Sequence, residues 1–348
     1  MNQVQWKKGL LCGGLFVLLL GLTFYLLLAK QDPAHLWAAL KQVKLPLLGV
    51  GACAMVVFFL CEAKNIQRGL SLFGSPAPYR SCLLYAVTGF FFSSVTPSAS
   101  GGQPMQLYAM YRDGHSPAHG ALALLLEFFS FQLAAVTLGV GGFLLHKSQL
   151  LAMPRGVLLC FLVGAVLNLV VVFLLAGAVI SPRLLPALGR GLMVPARRFF
   201  PRRAPALEAW GKSQWQDMRQ CIQCCKDHKK QLGTMFLTSL VQLLAYHSIP
   251  FWVFLAFGLS GQTLWSMIAL QAVLFLSVSS LPLPGAVGLS EGGFLLLYQT
   301  VFPAAVLPGA MLLSRSVSFY LFLLLTGVFL AFRFLRLAWQ APLPSKTM

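Results

Sequence analysis

Glu127 stands inside an apolar run, A-L-A-L-L-L-E-F-F-S-F-Q, and Arg315 stands early in another. Ionised side chains are costly at membrane depth, and those retained there pair, meet water or handle a polar substrate. Glu127 therefore has two readings: a structural carboxylate satisfied by backbone donors, or a site for proton coupling and headgroup contact. Arg315 also has two, as a phosphate contact and as the partner of Glu291. Its planar fork matches a phosphate and cannot shed its charge, so alternation between the two would itself be a mechanism. Gln132 lies five residues after Glu127, so the two do not share a helix face directly. Glu62, beside Lys64, reads as a boundary charge at the end of an apolar segment. Arg112 and Asp113 read as a boundary pair or a phosphate contact.

Two stretches rich in Pro and Gly interrupt the apolar sequence. The first, T-P-S-A-S-G-G-Q-P, supplies Thr96, Pro97, Gly101, Gly102, Gln103 and Pro104. The second, L-P-L-P-G-A-V-G-L-S-E-G-G, supplies Pro282, Pro284, Gly285, Gly288 and Glu291. A helix cannot pass through either unbroken, because each Pro removes a donor and clashes with the preceding turn. Non-helical backbone at membrane depth persists only where protein or a water-filled cavity satisfies it. One break in each half of a chain marks a polar site of the transporter kind. These residues, with Glu127, Gln132 and Arg315, form the candidate set for substrate binding or transport.

Other chemistries lack their residues. There is no G-x-x-x-x-G-K-[ST] for ATP. The serines at 93, 94, 98 and 100 have no nearby His and Asp to complete a triad. Cys221, Cys224, Cys225 and His228 superficially resemble a metal set, but adjacent Cys224 and Cys225 point to different faces of a helix. No catalytic residue, metal or cofactor is expected.

The elements that must hold these residues follow from composition. Of 348 residues, 58% are hydrophobic and 10% charged, against about 25% charged in a soluble domain. The chain is expected to be an all-α polytopic membrane protein. Its formal charge of +18 belongs to loops and anionic headgroups rather than to nucleic acid. Apolar segments fall at Gly9–Ala29, Leu45–Cys61, Tyr79–Val95, Gly120–Leu145, Gly156–Ile180, Leu232–Phe257, Leu264–Leu281 and Ala310–Leu335. The third and seventh run into the broken motifs and are followed by short returns, Met105–Tyr111 and Phe294–Phe302.

Charge asymmetry decides whether those two cross. If all eight cross from an inside N-terminus, 10 Lys and Arg lie inside and 15 outside. If both are re-entrant hairpins, 20 lie inside and 5 outside, as the positive-inside rule requires. The expectation is six full spans plus two broken re-entrant hairpins, entering from opposite faces as an inverted repeat. Both termini would be cytoplasmic in the cell membrane. The basic segment 181–231 would be a cytoplasmic connector, read as an interfacial amphipathic helix or a solvated link. Residues 1–336 would form one transmembrane domain and 337–348 a disordered tail.

The motif T-P-S-A-S-G-G-Q-P-M-Q-L-Y-A-M-Y-R-D-G, the Glu127 span, the second broken motif and Arg315 occur in that order. In this the chain resembles the flippase-like transmembrane domain of lysyl-phosphatidylglycerol synthases, from about Gly9 to Arg336. The family often places an Arg after the Glu of the fourth span, where this chain has Phe128. The resemblance implies movement of a lipid headgroup between leaflets. It also implies an alternative, a membrane component of lysyl-phosphatidylglycerol synthesis working with a separate lipid-modifying transferase, since the residues after the last span leave no room for an aminoacyl-transferase domain. Membrane lipids with anionic headgroups are the expected partners, and oligomers are compatible with this reading.

Overall fold

The computed structural model describes residues 43–96, 99–151, 155–180, 228–279 and 288–340, and every element among them is helical. The first apolar segment, residues 181–227 with Cys221, Cys224 and Cys225, and residues 341–348 lie outside the described residues; residues 229–231 of the expected connector and 337–340 of the expected tail belong to helices. Four helical stretches are long and apolar enough to cross a membrane: Leu45–Leu72, Pro117–Leu145, Lys229–Ala256 and Leu307–Arg333. This is a multi-pass membrane protein.

The chain runs through α1 (Leu45–Leu72), α2 (Tyr79–Val95), α3 (Gly102–Arg112), α4 (Pro117–Leu145), a short α5 (Lys147–Leu151) and α6 (Arg155–Ile180). It resumes with α7 (Lys229–His247), α8 (Ile249–Ala256), α9 (Leu264–Val278), α10 (Leu289–Tyr298), α11 (Leu307–Arg315), a π-helical turn at Ser316–Tyr320 and α12 (Leu321–Gln340). Proline sits in the first turn of α1, α4, α8 and α11, where its missing N–H costs nothing. The expected segment Leu232–Phe257 is divided at Ser248, because Pro250 cannot donate the bond that would continue α7. The expected segment Leu45–Cys61 is extended to Leu72: Asn65, Ile66, Gly69 and Leu70 bury against neighbouring helices and carry the helix past its polar residues.

The helices flanking each broken segment pack together as a hairpin pair, α2 with α3 and α9 with α10. In the first, Gly89 of α2 faces Gln106, and a side chain at Gly102 would overlap Ser93. Contact this close requires glycine. The base is closed by Ser75 Oγ against His115 Nδ1 at 2.7 Å and by Tyr85 Oη donating to Asp113 Oδ2 at 2.6 Å. In the second, Tyr298 Oη at the end of α10 donates to Gln271 Oε1 at the middle of α9 at 3.1 Å.

Each hairpin also has its own core. Ile66, Leu70, Tyr85, Met110 and Leu126 surround the first, and Leu270, Leu274, Phe294, Tyr298 and Phe302 surround the second. The long helices α1 and α7–α8 run antiparallel along their whole length: Lys44 N–H donates to the Ala256 carbonyl, Gly51 meets Ile249, and Asn65 Nδ2 donates to the Met235 carbonyl. The pairings exchange between halves. The first hairpin packs through α2 on α12, and the second packs through α9 on α4. At the second interface Gly142 lies against the Ala269 carbonyl.

Candidate functional site

The second hairpin aims a carboxylate into the protein. Gly288 opens α10 at φ +87° and ψ −47°, a left-handed conformation that side chains disfavour. The turn places Glu291 three residues on, where its Oε2 accepts the Gly288 backbone N–H at 2.7 Å. An acid in the first turn also complements the positive helix end. The other oxygen, Oε1, accepts from Arg315 Nε at 2.8 Å and from Tyr320 Oη at 2.8 Å. Only 1% of Glu291 and 8% of Arg315 is exposed.

Arg315 and Tyr320 are five residues apart, a spacing that an α-helix sends to different faces. The intervening π turn, with bonds from i to i+5, brings both onto one carboxylate. The guanidinium carbon also lies 4.5 Å from the centre of the Phe319 ring, a cation–π distance. Beside this network is a largely enclosed cavity of about 30 Å³, lined in part by Tyr246, Gln271, Ser290, Ser314, Arg315 and Ser318. That volume admits water but no lipid headgroup, so the site stands closed. Ser314 Oγ, the Gln242 amide and both His247 ring nitrogens are buried without a hydrogen-bond partner among the described residues. Such groups are expensive unless water or substrate reaches them.

The other sequence-selected residues separate into two places. Thr96 ends α2, accepting Gly101 N–H at 2.8 Å and donating to the Phe92 carbonyl at 2.6 Å. Gly102 is buried, but Gln103 and Pro104 are exposed, so these two do not line the interior. The buried amide of that turn is Gln106, which donates from Nε2 to Glu62 Oε1 at 3.2 Å. Glu62 is consequently no solvated boundary charge: α1 continues ten residues beyond it, and the first hairpin covers it. Glu127 is buried near Glu62. Among the described residues Arg112 reaches only Tyr108 Oη, at 3.4 Å, while Asp113 is taken by Tyr85, so the two do not pair with each other.

Gln132 belongs to the second hairpin. Its Nε2 donates to Asn168 Oδ1 at 2.6 Å, and Asn168 Nδ2 donates to the Leu276 carbonyl and to Ser279 Oγ. Glu127 and Gln132 thus serve opposite hairpins from one helix. Pro97, Pro282, Pro284 and Gly285 lie outside the described residues. Among the described residues no three His, Cys, Asp or Glu side chains converge as a metal site.

Residues 11–326 match the model of the lysylphosphatidylglycerol synthase TM region. The chain belongs to that family. It is also 23% identical over 291 residues to a UPF0104 membrane protein of Archaeoglobus fulgidus, covering 82% of this chain and 85% of the relative. Four members of the polar set were not picked out of the sequence: Gln106, Tyr320, Asn168 and Gln242. The first lay inside the quoted motif and could have been found by its i+4 relation to Gly102. The others carry no signal, being single polar residues in apolar helices.

Proposed function

We propose that this protein is a lipid translocator, passing a phospholipid or polyprenyl-phosphate headgroup between leaflets without ATP while the chains stay in the bilayer. The observation that supports this best is the Glu291–Arg315–Tyr320 cluster, buried beside a small polar cavity at the hairpin break. A fully compensated Arg is stable in hydrocarbon only with its counter-charge. A phosphate that replaces Glu291 on Arg315 would be held by the same fork geometry. The closed cavity then represents an occluded state, and passage requires the hairpin to move away from α11. The hairpins would be re-entrant from opposite faces of the cell membrane, consistent with the antiparallel run of α1 and α7–α8 and with the exchanged pairings of the two halves. Both termini would be cytoplasmic.

The test is leaflet exchange. Purified protein in liposomes containing a trace of headgroup-labelled phosphatidylglycerol should expose inner-leaflet label to an impermeant quencher. Protein-containing vesicles that keep their inner-leaflet label, like protein-free ones, would refute translocation of that lipid class; a labelled polyprenyl phosphate is the second substrate to try.

A further inference from the structure

The outer face of α1 carries a feature that the hairpin site does not use. Lys64 and Arg68 lie one turn apart on α1, and Arg68 Nη1 donates to the Thr234 carbonyl and to Thr238 of α7. These bonds hold the guanidinium across the α1/α7 seam. Among the described residues neither cation has a carboxylate partner: Arg68 meets neutral acceptors, and Lys64 meets Gln67 Oε1 at 2.9 Å. Next to them runs an open groove of about 600 Å³, walled by Leu60, Leu237 and Val241. Those walls are 39%, 58% and 52% exposed. Position explains the pairing of charge with apolar wall. Twenty residues, from Leu45 to Lys64, span about 30 Å of hydrocarbon, so the two cations stand at the membrane edge and the groove below them faces acyl chains.

We propose that this groove is a binding site for an anionic phospholipid, with its phosphate on Lys64 and Arg68 and an acyl chain against Leu60, Leu237 and Val241. Charge complementarity selects the occupant. Two cations without carboxylate partners at the interface attract an anionic headgroup at about 1 kcal/mol each, whereas a zwitterionic lipid offers an ammonium of like charge. The bound lipid splints α1 to α7, the two long helices of the opposite halves. The site is separate from the buried Arg315 cluster and holds its lipid whether or not the protein moves lipids.

Native mass spectrometry of the full-length protein, released from nanodiscs of mixed phosphatidylglycerol and phosphatidylcholine, tests this. The wild type should retain phosphatidylglycerol preferentially. Lys64→Gln should lower that retention about fivefold, and Lys64→Gln with Arg68→Gln about thirtyfold. Val241→Trp, which fills the groove and alters no charge, should lower retention as well. Because Arg68→Gln also loses its bonds to α7, Lys64→Gln and Val241→Trp carry the test if the double variant fails to fold. Equal retention of both lipids by the wild type would overturn the proposal. So would displacement by millimolar inorganic phosphate, which would mark a free-phosphate site. Absence of lipid, with a Val241→Cys thiol shielded from a membrane-permeant reagent, would show that another segment of the chain fills the groove and would also overturn it.

Discussion

Glu291 takes three hydrogen bonds from three parts of the chain: the Gly288 backbone, Arg315 and Tyr320. Removing the carboxylate takes a counter-charge from a buried guanidinium, so Glu291→Gln should destabilise the protein by about 3–5 kcal/mol. Tyr320→Phe loses one charge-assisted bond and should cost about 1.5–3 kcal/mol. Joining Glu291→Gln to Arg315→Gln should recover part of the loss, giving a coupling well above the few tenths of a kcal/mol expected of independent sites. Thermal unfolding in detergent reads all three; additive losses would show that the ion pair is not an energetic unit. The pairing of Glu291 with Arg315 was readable because an Arg in an apolar segment needs an anion, and few are present. Tyr320 was not readable, since a spacing of five serves one face only inside a π turn, and nothing in S-V-S-F-Y announces one. Glu62 misled for a related reason: charge beside Lys64 looks like a membrane boundary until the covering hairpin is seen.

At the scale of elements, the hairpins depend on backbone proximity. A side chain at Gly102 would overlap Ser93 and approach the Gly89 carbonyl at 2.8 Å, so Gly102→Leu must part α2 from α3. Gly288→Ala is a smaller insult, about 1–2 kcal/mol for a left-handed residue, but it acts on the turn that presents Glu291. Both variants should reach the membrane. Gly102→Leu should abolish lipid exchange, and Gly288→Ala should reduce it with a modest loss of stability. Full exchange in Gly102→Leu would reduce the first hairpin to a passive connection. The sequence carried the breaks clearly, because Pro and Gly are local signals: α2 is found at Tyr79–Val95 as expected. It carried helix ends poorly. α1 runs on to Leu72 and α7 yields to α8 at Ser248, since packing against neighbouring helices decides both.

For the whole molecule, composition and charge asymmetry sufficed for a multi-pass helical membrane protein, and the motif order sufficed for the family. The exchanged pairings between halves could not be read, because the halves share layout without evident residue identity. The proposed re-entrant arrangement makes a topological prediction. In a Cys-free background, a thiol placed near Arg202 should react with an impermeant reagent only from the cytoplasmic side, and so should one near Lys346. A thiol at Gln262, between α8 and α9, should react only from outside. Labelling of both 202 and 262 from one side would reject the opposed hairpins.

If lipid crosses at the Arg315 cluster, exchange of labelled phosphatidylglycerol in liposomes should separate variants of the two basic sites. Wild-type protein should expose inner-leaflet lipid to the quencher. Arg315→Gln joined to Glu291→Gln should stop exchange while remaining folded, and Lys64→Gln on the outer groove should leave exchange running. Exchange at the wild-type rate in the Arg315→Gln and Glu291→Gln double variant would contradict the account.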